Sequence, residues 1–177
     1  TVLSILRQAI GLQQSPPNML AVSLALFLTW FIMEPVFIQA WTSGGAPLLA
    51  GTIDLPVAFE RGIAPFRSFM AARIDTETFL SLAALRPETA ASSDAVTAPL
   101  SLLVPAFMLS EVARAFEIGF LLFLPFLIID LVVSAVLMSM GMMMVPPAVV
   151  ALPFKLAFFV VADGWSLVSG ALVRSYF

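Results

Sequence analysis

The chain has 177 residues, 61% of them hydrophobic and only 11% charged, with a formal net charge of −3 and a mean hydropathy of +1.06. Soluble domains carry about 25% charged residues, so this composition indicates a membrane protein or a chain buried in a large assembly. Without Cys or His it forms no disulfide, Ser-His-Asp triad or thiolate or imidazole metal site, and its eight scattered Lys and Arg residues offer no basic surface for nucleic acid.

The first 41 residues predict two N-terminal helices. Residues 1–13 form a short helical pattern that ends at Ser15-Pro16-Pro17, because proline interrupts a helix. The opening at Thr1 is typical of a helix already in progress, so we expect the natural chain to begin upstream.

The second predicted helix is apolar and long. It runs from Met19 through Glu34-Pro35 to Trp41, about 23 residues, which is enough to cross a hydrocarbon core of about 30 Å. Pro35 predicts a kink, and a carboxylate at Glu34 is costly against lipid. The pattern therefore favours a helix packed inside an assembly.

Residues 42–98 differ from the rest because they mix arginines with acids. Thr42-Ser43-Gly44-Gly45 predicts a loop, and Arg86 to Thr97 predicts a polar turn region. Between them, Leu55 to Leu85 predicts one or two amphipathic helices. One face of these helices carries apolar side chains at helical spacing: Phe59, Ile63, Phe66 and Met70. We expect a water-exposed helical insertion.

Residues 99–177 predict apolar helices with isolated charges. Glu111, Arg114 and Glu117 stand three residues apart, so one helical face can carry alternating charges, either solvated or partly buried against another subunit. The twelve apolar residues Ile118–Ile129, with a proline inside, are too short to span a membrane alone. After Lys155, a final helix is interrupted at Asp163-Gly164.

Three of these charges lie in apolar surroundings: Asp130, Lys155 and Asp163. Unpaired burial is expensive, so each one needs a partner or an aqueous route. Ion pairs between helices or between subunits satisfy this requirement, and so does a proton relay. We favour the ion pairs, because one or two isolated carboxylates do not form a pathway.

A methionine-rich segment follows the longest apolar run. Met140, Gly141, Met142, Met143 and Met144 precede Val145-Pro146-Pro147. The prolines stop a helix and Gly141 frees the backbone, so Met142–Met144 are predicted at a helix end or in a loop. Such methionines either fill gaps in a core or, contributed by several subunits, close a pore that deforms around a passing chain.

Several segments resemble the FliP family of flagellar export-gate proteins, which is related to a family of virulence type III secretion proteins. The similarity covers both ends of the chain and is carried by these segments: Leu12-Gln13-Gln14-Ser15-Pro16-Pro17-Asn18, Phe116-Glu117-Ile118-Gly119-Phe120, Leu124-Pro125-Phe126-Leu127-Ile128-Ile129-Asp130, Met140-Gly141-Met142-Met143-Met144-Val145-Pro146-Pro147, Leu152-Pro153-Phe154-Lys155-Leu156 and Asp163-Gly164-Trp165.

This resemblance implies an all-α protein of kinked apolar helical hairpins that assembles into a conical homopentamer. It implies FliQ-like and FliR-like subunits, FlhB-like and FlhA-like export components and the basal-body ring as partners, and unfolded flagellar proteins as cargo. It places the assembly in the bacterial inner membrane, on the periplasmic side of the basal body. It also implies that Met142–Met144 line the closed constriction. No enzymatic activity and no cofactor is expected.

The rival hypothesis is a small-solute or proton-coupled membrane transporter that uses Asp130 and Asp163. An intramembrane enzyme is a third class, but the chain offers no credible pair of nucleophile and base. Stoichiometry separates the first two hypotheses. A ring of five copies with two other small apolar proteins indicates a gate subunit, whereas a monomer or inverted dimer indicates a transporter.

Overall fold

The computed structural model describes residues 1–11, 18–85, 88 and 94–176, and every regular element in these ranges is helical. The predicted all-α class is therefore confirmed. The predicted break at Ser15-Pro16-Pro17 and most of the predicted turn from Arg86 to Thr97 lie outside the described residues. The helices are α1 (Val2–Ile10), α2 (Asn18–Ala40), α3 (Ala46–Leu49), α4 (Leu55–Arg73), α5 (Thr76–Ala84), α6 (Leu100–Ser139), α7 (Pro147–Val161) and α8 (Gly164–Arg174).

Two stretches of helix in the described ranges are long and apolar enough to cross a membrane, Asn18–Leu49 and Leu100–Ser139. α7 and α8 would add a third span if they are counted as one helix bent by 60°. Large apolar side chains along α2 face outward, and those of Phe27 and Trp30 are 73% and 61% exposed. Contiguous apolar surface of this kind is typical of a protein covered by lipid or by partner subunits.

The 40-residue α6 corrects the expectation of a short helix at Ile118–Ile129. The helix continues through Pro105 and Pro125, although each proline lacks the N–H of one helical hydrogen bond. In apolar surroundings an unpaired main-chain group costs several kcal/mol, so ending the helix would cost more than losing one bond. Phe126, which is 3% exposed, packs in the core directly after the second proline.

The predicted loop at Thr42-Ser43-Gly44-Gly45 is wrong, because the chain stays helical there. A π-helical turn, Trp41–Gly45, joins α2 to α3. The Ser43 hydroxyl donates to the carbonyl oxygens of Gln39 at 2.7 Å and, on α4, Arg61 at 3.0 Å. A Cβ added at Gly44 would lie 2.5 Å from the carbonyl oxygen of Ala58 on α4. The glycine permits close helix packing rather than a turn.

We therefore predict that Gly44→Ala destabilises the protein, because backbone atoms of α4 must move to accept the methyl group. Overpacking of this kind costs about 1–3 kcal/mol. Gly62→Ala on α4 is the matched control. A Cβ added at Gly62 would lie 3.9 Å from the nearest atom outside its own helical turn, the carbonyl oxygen of Ala40, which is ordinary contact. Thermal unfolding in detergent measures both. Equal melting temperatures for the two variants would contradict this packing.

The chain divides into two compact units, described separately here. The terminal unit comprises Thr1–Ile32 and Ala115–Phe177, and the central unit comprises Met33–Arg114. The terminal core draws residues from four helices: Leu6, Ala9, Ile10, Phe126, Phe159 and Val168. The central core contains Phe79, Ala83, Ala98, Leu102 and Ala106. The first of these cores positions the site described next.

Candidate functional site

The methionine segment begins where α6 ends in a left-handed glycine. Gly141 has φ 73°, and its N–H donates to the carbonyl oxygen of Met138 at 3.0 Å. The N–H of Met142 donates to the carbonyl oxygen of Leu137 at 2.9 Å. This pair of bonds is the Schellman arrangement, which satisfies the last carbonyls of a helix and turns the chain sharply away.

A tight turn from Met142 to Val145 follows at once. The N–H of Val145 donates to the carbonyl oxygen of Met142 at 3.3 Å, so Met143 and Met144 occupy the two central positions. Their side chains are 85% and 97% exposed. Pro146 then begins the approach to α7 in an extended conformation. The prediction that these methionines lie between helices is confirmed.

The two helices that flank the turn form an antiparallel hairpin within the terminal unit. The ring of Phe126 on α6 meets that of Phe158 on α7 edge-on at 5.8 Å. Further along, Asp130 of α6 meets Lys155 of α7. Residue numbers rise on one helix as they fall on the other, which is the antiparallel register. The methionine turn is therefore the tip of the α6–α7 hairpin.

Lys155 joins three helices of the terminal unit. Its Nζ donates to Asp130 Oδ2 at 2.6 Å and to the carbonyl oxygen of Ala9, near the end of α1, at 2.9 Å. A cation at a helix C-terminus is favoured by the helix dipole and satisfies a carbonyl with no partner in the helix. The Lys155 side chain is only 8% exposed. This cation holds α1 against the hairpin.

The carboxylate of Asp130 is only half satisfied. Its Oδ1 is buried and has no hydrogen-bond partner among the described residues. The Asp130 side chain as a whole is 33% exposed, so the pair is partly buried. Removing Lys155 would leave the buried Oδ1 without a compensating cation.

An apolar groove of about 690 Å³ lies between the methionine turn and the rest of the hairpin. Every side chain that lines it is apolar: Ile128, Ile129, Val132, Val133, Val136, Leu137, Met140, Met142, Val145, Val150 and Phe154. α6 supplies one wall, α7 supplies the other, and the turn closes one end. Nothing in the sequence analysis anticipated this groove.

The predicted charge ladder is only partly assembled. Glu111 Oε1 accepts from Arg114 Nη1 at 3.3 Å, as the spacing suggests, but its shorter bond at 2.8 Å comes from Arg73 Nε at the end of α4. Glu117 and Asp163 are exposed, and the part of the chain that the structure describes offers neither side chain a partner. Sequence analysis missed Arg73, which lies 38 positions from Glu111.

Asp75, which precedes α5, is a helix cap in the central unit. Its Oδ2 accepts from the backbone N–H of Thr78 at 2.8 Å and from the hydroxyl of the same residue at 2.9 Å. These bonds favour the carboxylate and lower the pKa of Asp75 below its ordinary value. Its own N–H donates to the buried Ser110 hydroxyl at 3.0 Å, which ties the start of α5 to α6.

The FliP family model matches residues 1–172. The chain belongs to the FliP family. It is 54% identical over 179 residues to the flagellar biosynthetic protein FliP of Caulobacter vibrioides, covering 99% of this chain and 65% of that protein. The corresponding protein of Agrobacterium fabrum is 48% identical over 98% of this chain and 71% of its own length.

A more distant relative has the same name. The flagellar biosynthetic protein FliP of Bacillus subtilis is 43% identical over 99% of this chain and 79% of its own length. The chain thus spans about two thirds of the length of the first two relatives. Nearly the whole chain aligns in each case, so the hairpin and its methionine turn lie within the shared region.

No group of three or more carboxylates lies close enough together to hold a metal ion within the described ranges. The most distinctive feature of this family member is a pair of apolar helices that one ion pair holds together, with three consecutive methionines at the tip. That arrangement suits contact with varied apolar surfaces more than it suits covalent chemistry.

Proposed function

We propose that this family member is a core subunit of the flagellar type III protein export gate, in which several copies enclose the channel for unfolded flagellar proteins. Family membership and the flagellar names of the relatives support this proposal. So do the long apolar helices whose outer faces need a covering of lipid or protein. The subunit acts as a conduit and not as an enzyme, and it needs no cofactor.

The observation that carries the proposal is the exposed methionine turn. Met143 and Met144 project from the tip of a pinned hairpin with almost no cover. Exposed apolar side chains held together at a tip are costly in water, but five such tips around an axis cover one another. Met140, Gly141, Met142, Met143 and Met144 of each copy then form a gasket, with Met142, Met143 and Met144 at its constriction.

Methionine suits this role better than branched residues do. Ile and Val are stiff at χ1, whereas methionine has three rotatable side-chain bonds and fills irregular gaps. A narrow apolar constriction also excludes water and ions without a charge. The gasket closes at rest and deforms around each passing segment of cargo.

The proposed partners are four further copies of the chain, a FliQ-like subunit and a FliR-like subunit, with FlhB-like and FlhA-like components and the basal-body ring around them. Glu111, Arg114, Glu117, Asp130, Lys155 and Asp163 are proposed to contribute polar contacts within or between subunits. Glu117 and Asp163 are the residues on this list best placed to meet a neighbour, since both are exposed and the described residues give neither a partner.

The mass of the complex extracted in mild detergent tests this function. We expect five copies of this protein with two other small apolar proteins. A monomer or an inverted dimer would contradict the gate and favour a solute transporter. The transporter is not favoured at present, because the relatives carry the flagellar name and Asp130 is already engaged by Lys155.

Residues 42–98 are proposed to form a helical domain on the periplasmic side that supports the ring. Their balanced charge and amphipathic spacing suit a water-facing collar. Ser81 on α5 is exposed and therefore suits thiol labelling of this domain. The chain has no cysteine of its own to interfere.

We predict that Ser81→Cys reacts with a membrane-impermeant thiol reagent added outside the inner membrane of spheroplasts. Ala83→Cys is the matched control on the same helix, because Ala83 is 2% exposed and its thiol should stay protected in the folded protein. Labelling of Ser81→Cys only after lysis would place this domain on the cytoplasmic side.

A further inference from the structure

The apolar groove behind the methionine turn is not needed to close a pore. The gasket uses the exposed tip side chains of Met143 and Met144, whereas the groove is lined mainly by residues of α6 and α7 and by neither of these two methionines. Two methionines of the segment, Met140 and Met142, already form part of its wall. The groove is therefore continuous with the gasket residues through side chains of the same kind.

The turn is attached to the hairpin by few bonds. Gly141 has φ 73°, and a Cβ added there would meet nothing within 4 Å, so the backbone at this position is unobstructed. Across the turn, one main-chain hydrogen bond of 3.3 Å joins Val145 to Met142. Pro146 and Pro147 have no N–H to anchor the other side. A swing at Gly141 therefore breaks the 2.9 Å bond from the Met142 N–H to the Leu137 carbonyl oxygen at the end of α6, but it needs no change in α7.

The groove also has the size and chemistry to hold methionine side chains. Its volume of about 690 Å³ lies inside the range of about 300–1,000 Å³ that accommodates small ligands, and the added bulk is only that of two side chains. Its lining is wholly apolar, so a thioether that leaves the axis gains apolar contacts there. Unbranched side chains adapt to such an irregular space.

We propose that this groove receives the side chains of Met143 and Met144 when the pore opens. The turn swings at Gly141, the two methionines leave the axis, and the space between α6 and α7 holds them until the cargo has passed. The inference rests on the proposed gasket. It adds a second position for the turn and names the residues that form it.

The Lys155–Asp130 pair serves this movement by keeping the helices in place. It bridges α6 and α7 next to Ile129 and Phe154, which line the groove. A hairpin pinned at that level stays rigid while its tip moves, so the groove persists in both positions of the turn.

A disulfide tests the second position directly, because the chain contains no cysteine. In the complete gate, Met144→Cys is combined with Val136→Cys, which lines the groove one turn before the end of α6. A disulfide requires the two Cα atoms to come within about 7 Å. Met144→Cys with Met138→Cys is the control pair, since Met138 is nearer to the turn in sequence but lies outside the groove lining.

We expect the groove pair to form a disulfide on mild oxidation, more so when a stalled export substrate holds the pore open, and the control pair to remain reduced. The oxidised groove pair should leak ions, and a reductant should restore the seal. Equal disulfide yields in both pairs, or a tight seal in the oxidised groove pair, would overturn the proposal.

Filling the groove provides an independent measurement. Val150→Phe adds bulk inside the groove, whereas Val149→Phe adds the same bulk beside it on α7. We expect Val150→Phe to assemble and stay sealed but to secrete less flagellar protein, with Val149→Phe secreting as wild type does. Unchanged secretion by an assembled Val150→Phe gate contradicts the groove while leaving the gasket intact. If the gasket proposal itself is wrong, shortening Met142–Met144 to Ala causes no ion leakage, so the two failures are distinguishable.

Discussion

Replacing Lys155 with Glu is expected to prevent assembly of the export complex and to abolish motility. The new carboxylate would face Asp130 and the carbonyl oxygen of Ala9, which now accept hydrogen bonds from the Lys155 ammonium. Two like charges and a carbonyl dipole would then meet at a position where the Lys155 side chain is now only 8% exposed, although Asp130 is 33% exposed. Breaking a buried ion pair by removing one partner costs about 3–5 kcal/mol, a large share of the stability of a typical domain.

Two further variants separate the effect of the Lys155 charge from the effect of its side-chain shape. Lys155→Met keeps most of the apolar stem and leaves Asp130 unpaired, so we expect it to destabilise nearly as much as the reversal does. Asp54→Asn is the control, because Asp54 is exposed and its side chain makes no cap hydrogen bond at the start of α4. Complex yield and swimming measure all three. Normal assembly and motility of the Lys155→Glu strain would show that the pair does not hold the hairpin.

The helical class and the position of the methionine turn could be predicted because each depends on local sequence. Long apolar runs favour helices wherever water is absent. Gly141 followed by Pro146-Pro147 is a stop signal in almost any surroundings. The same local reasoning located the break at Asp163-Gly164 between α7 and α8.

The errors came from features whose meaning depends on distant residues. Gly44 and Gly45 are typical of a loop, yet Gly44 lies in a helix because the backbone of α4 approaches it. Pro125 is typical of a break, yet α6 continues through it and Phe126, the next residue, packs in the core.

The hydrogen-bond partners of charged side chains could not be predicted from local sequence either. The strongest contact of Glu111 is Arg73, a residue of another helix that no spacing rule connects to it. The apolar groove is lined by residues of both α6 and α7, which the Lys155–Asp130 pair joins, so it belongs to the hairpin and not to either helix alone.

Shortening Met142, Met143 and Met144 together to Ala is expected to open the closed pore to small ions. Alanine removes the thioether and leaves a gap at the tip of every hairpin, where Met143 and Met144 now project almost fully exposed. A constriction too wide to exclude water conducts ions, because dewetting depends on narrowness and apolar walls together. Protein export itself should persist, since the channel is widened rather than blocked.

Two controls isolate the contribution of methionine at the tip. Changing the same three residues to Leu keeps most of the bulk and should keep the seal, with slower export because leucine adapts less readily than methionine. Met138→Ala removes an equally apolar side chain from α6, 63% exposed but outside the turn. It should leave both the seal and the export rate unchanged.

Ion leakage in cells that carry the triple Ala variant, with the remaining gate components present and assembly verified, is the most direct measurement of the gasket. The methionine seal predicts ion influx well above that of wild type and of Met138→Ala, and no excess in the triple Leu variant. A triple Ala gate that assembles and stays as tight as wild type would contradict it and assign these methionines to ordinary packing.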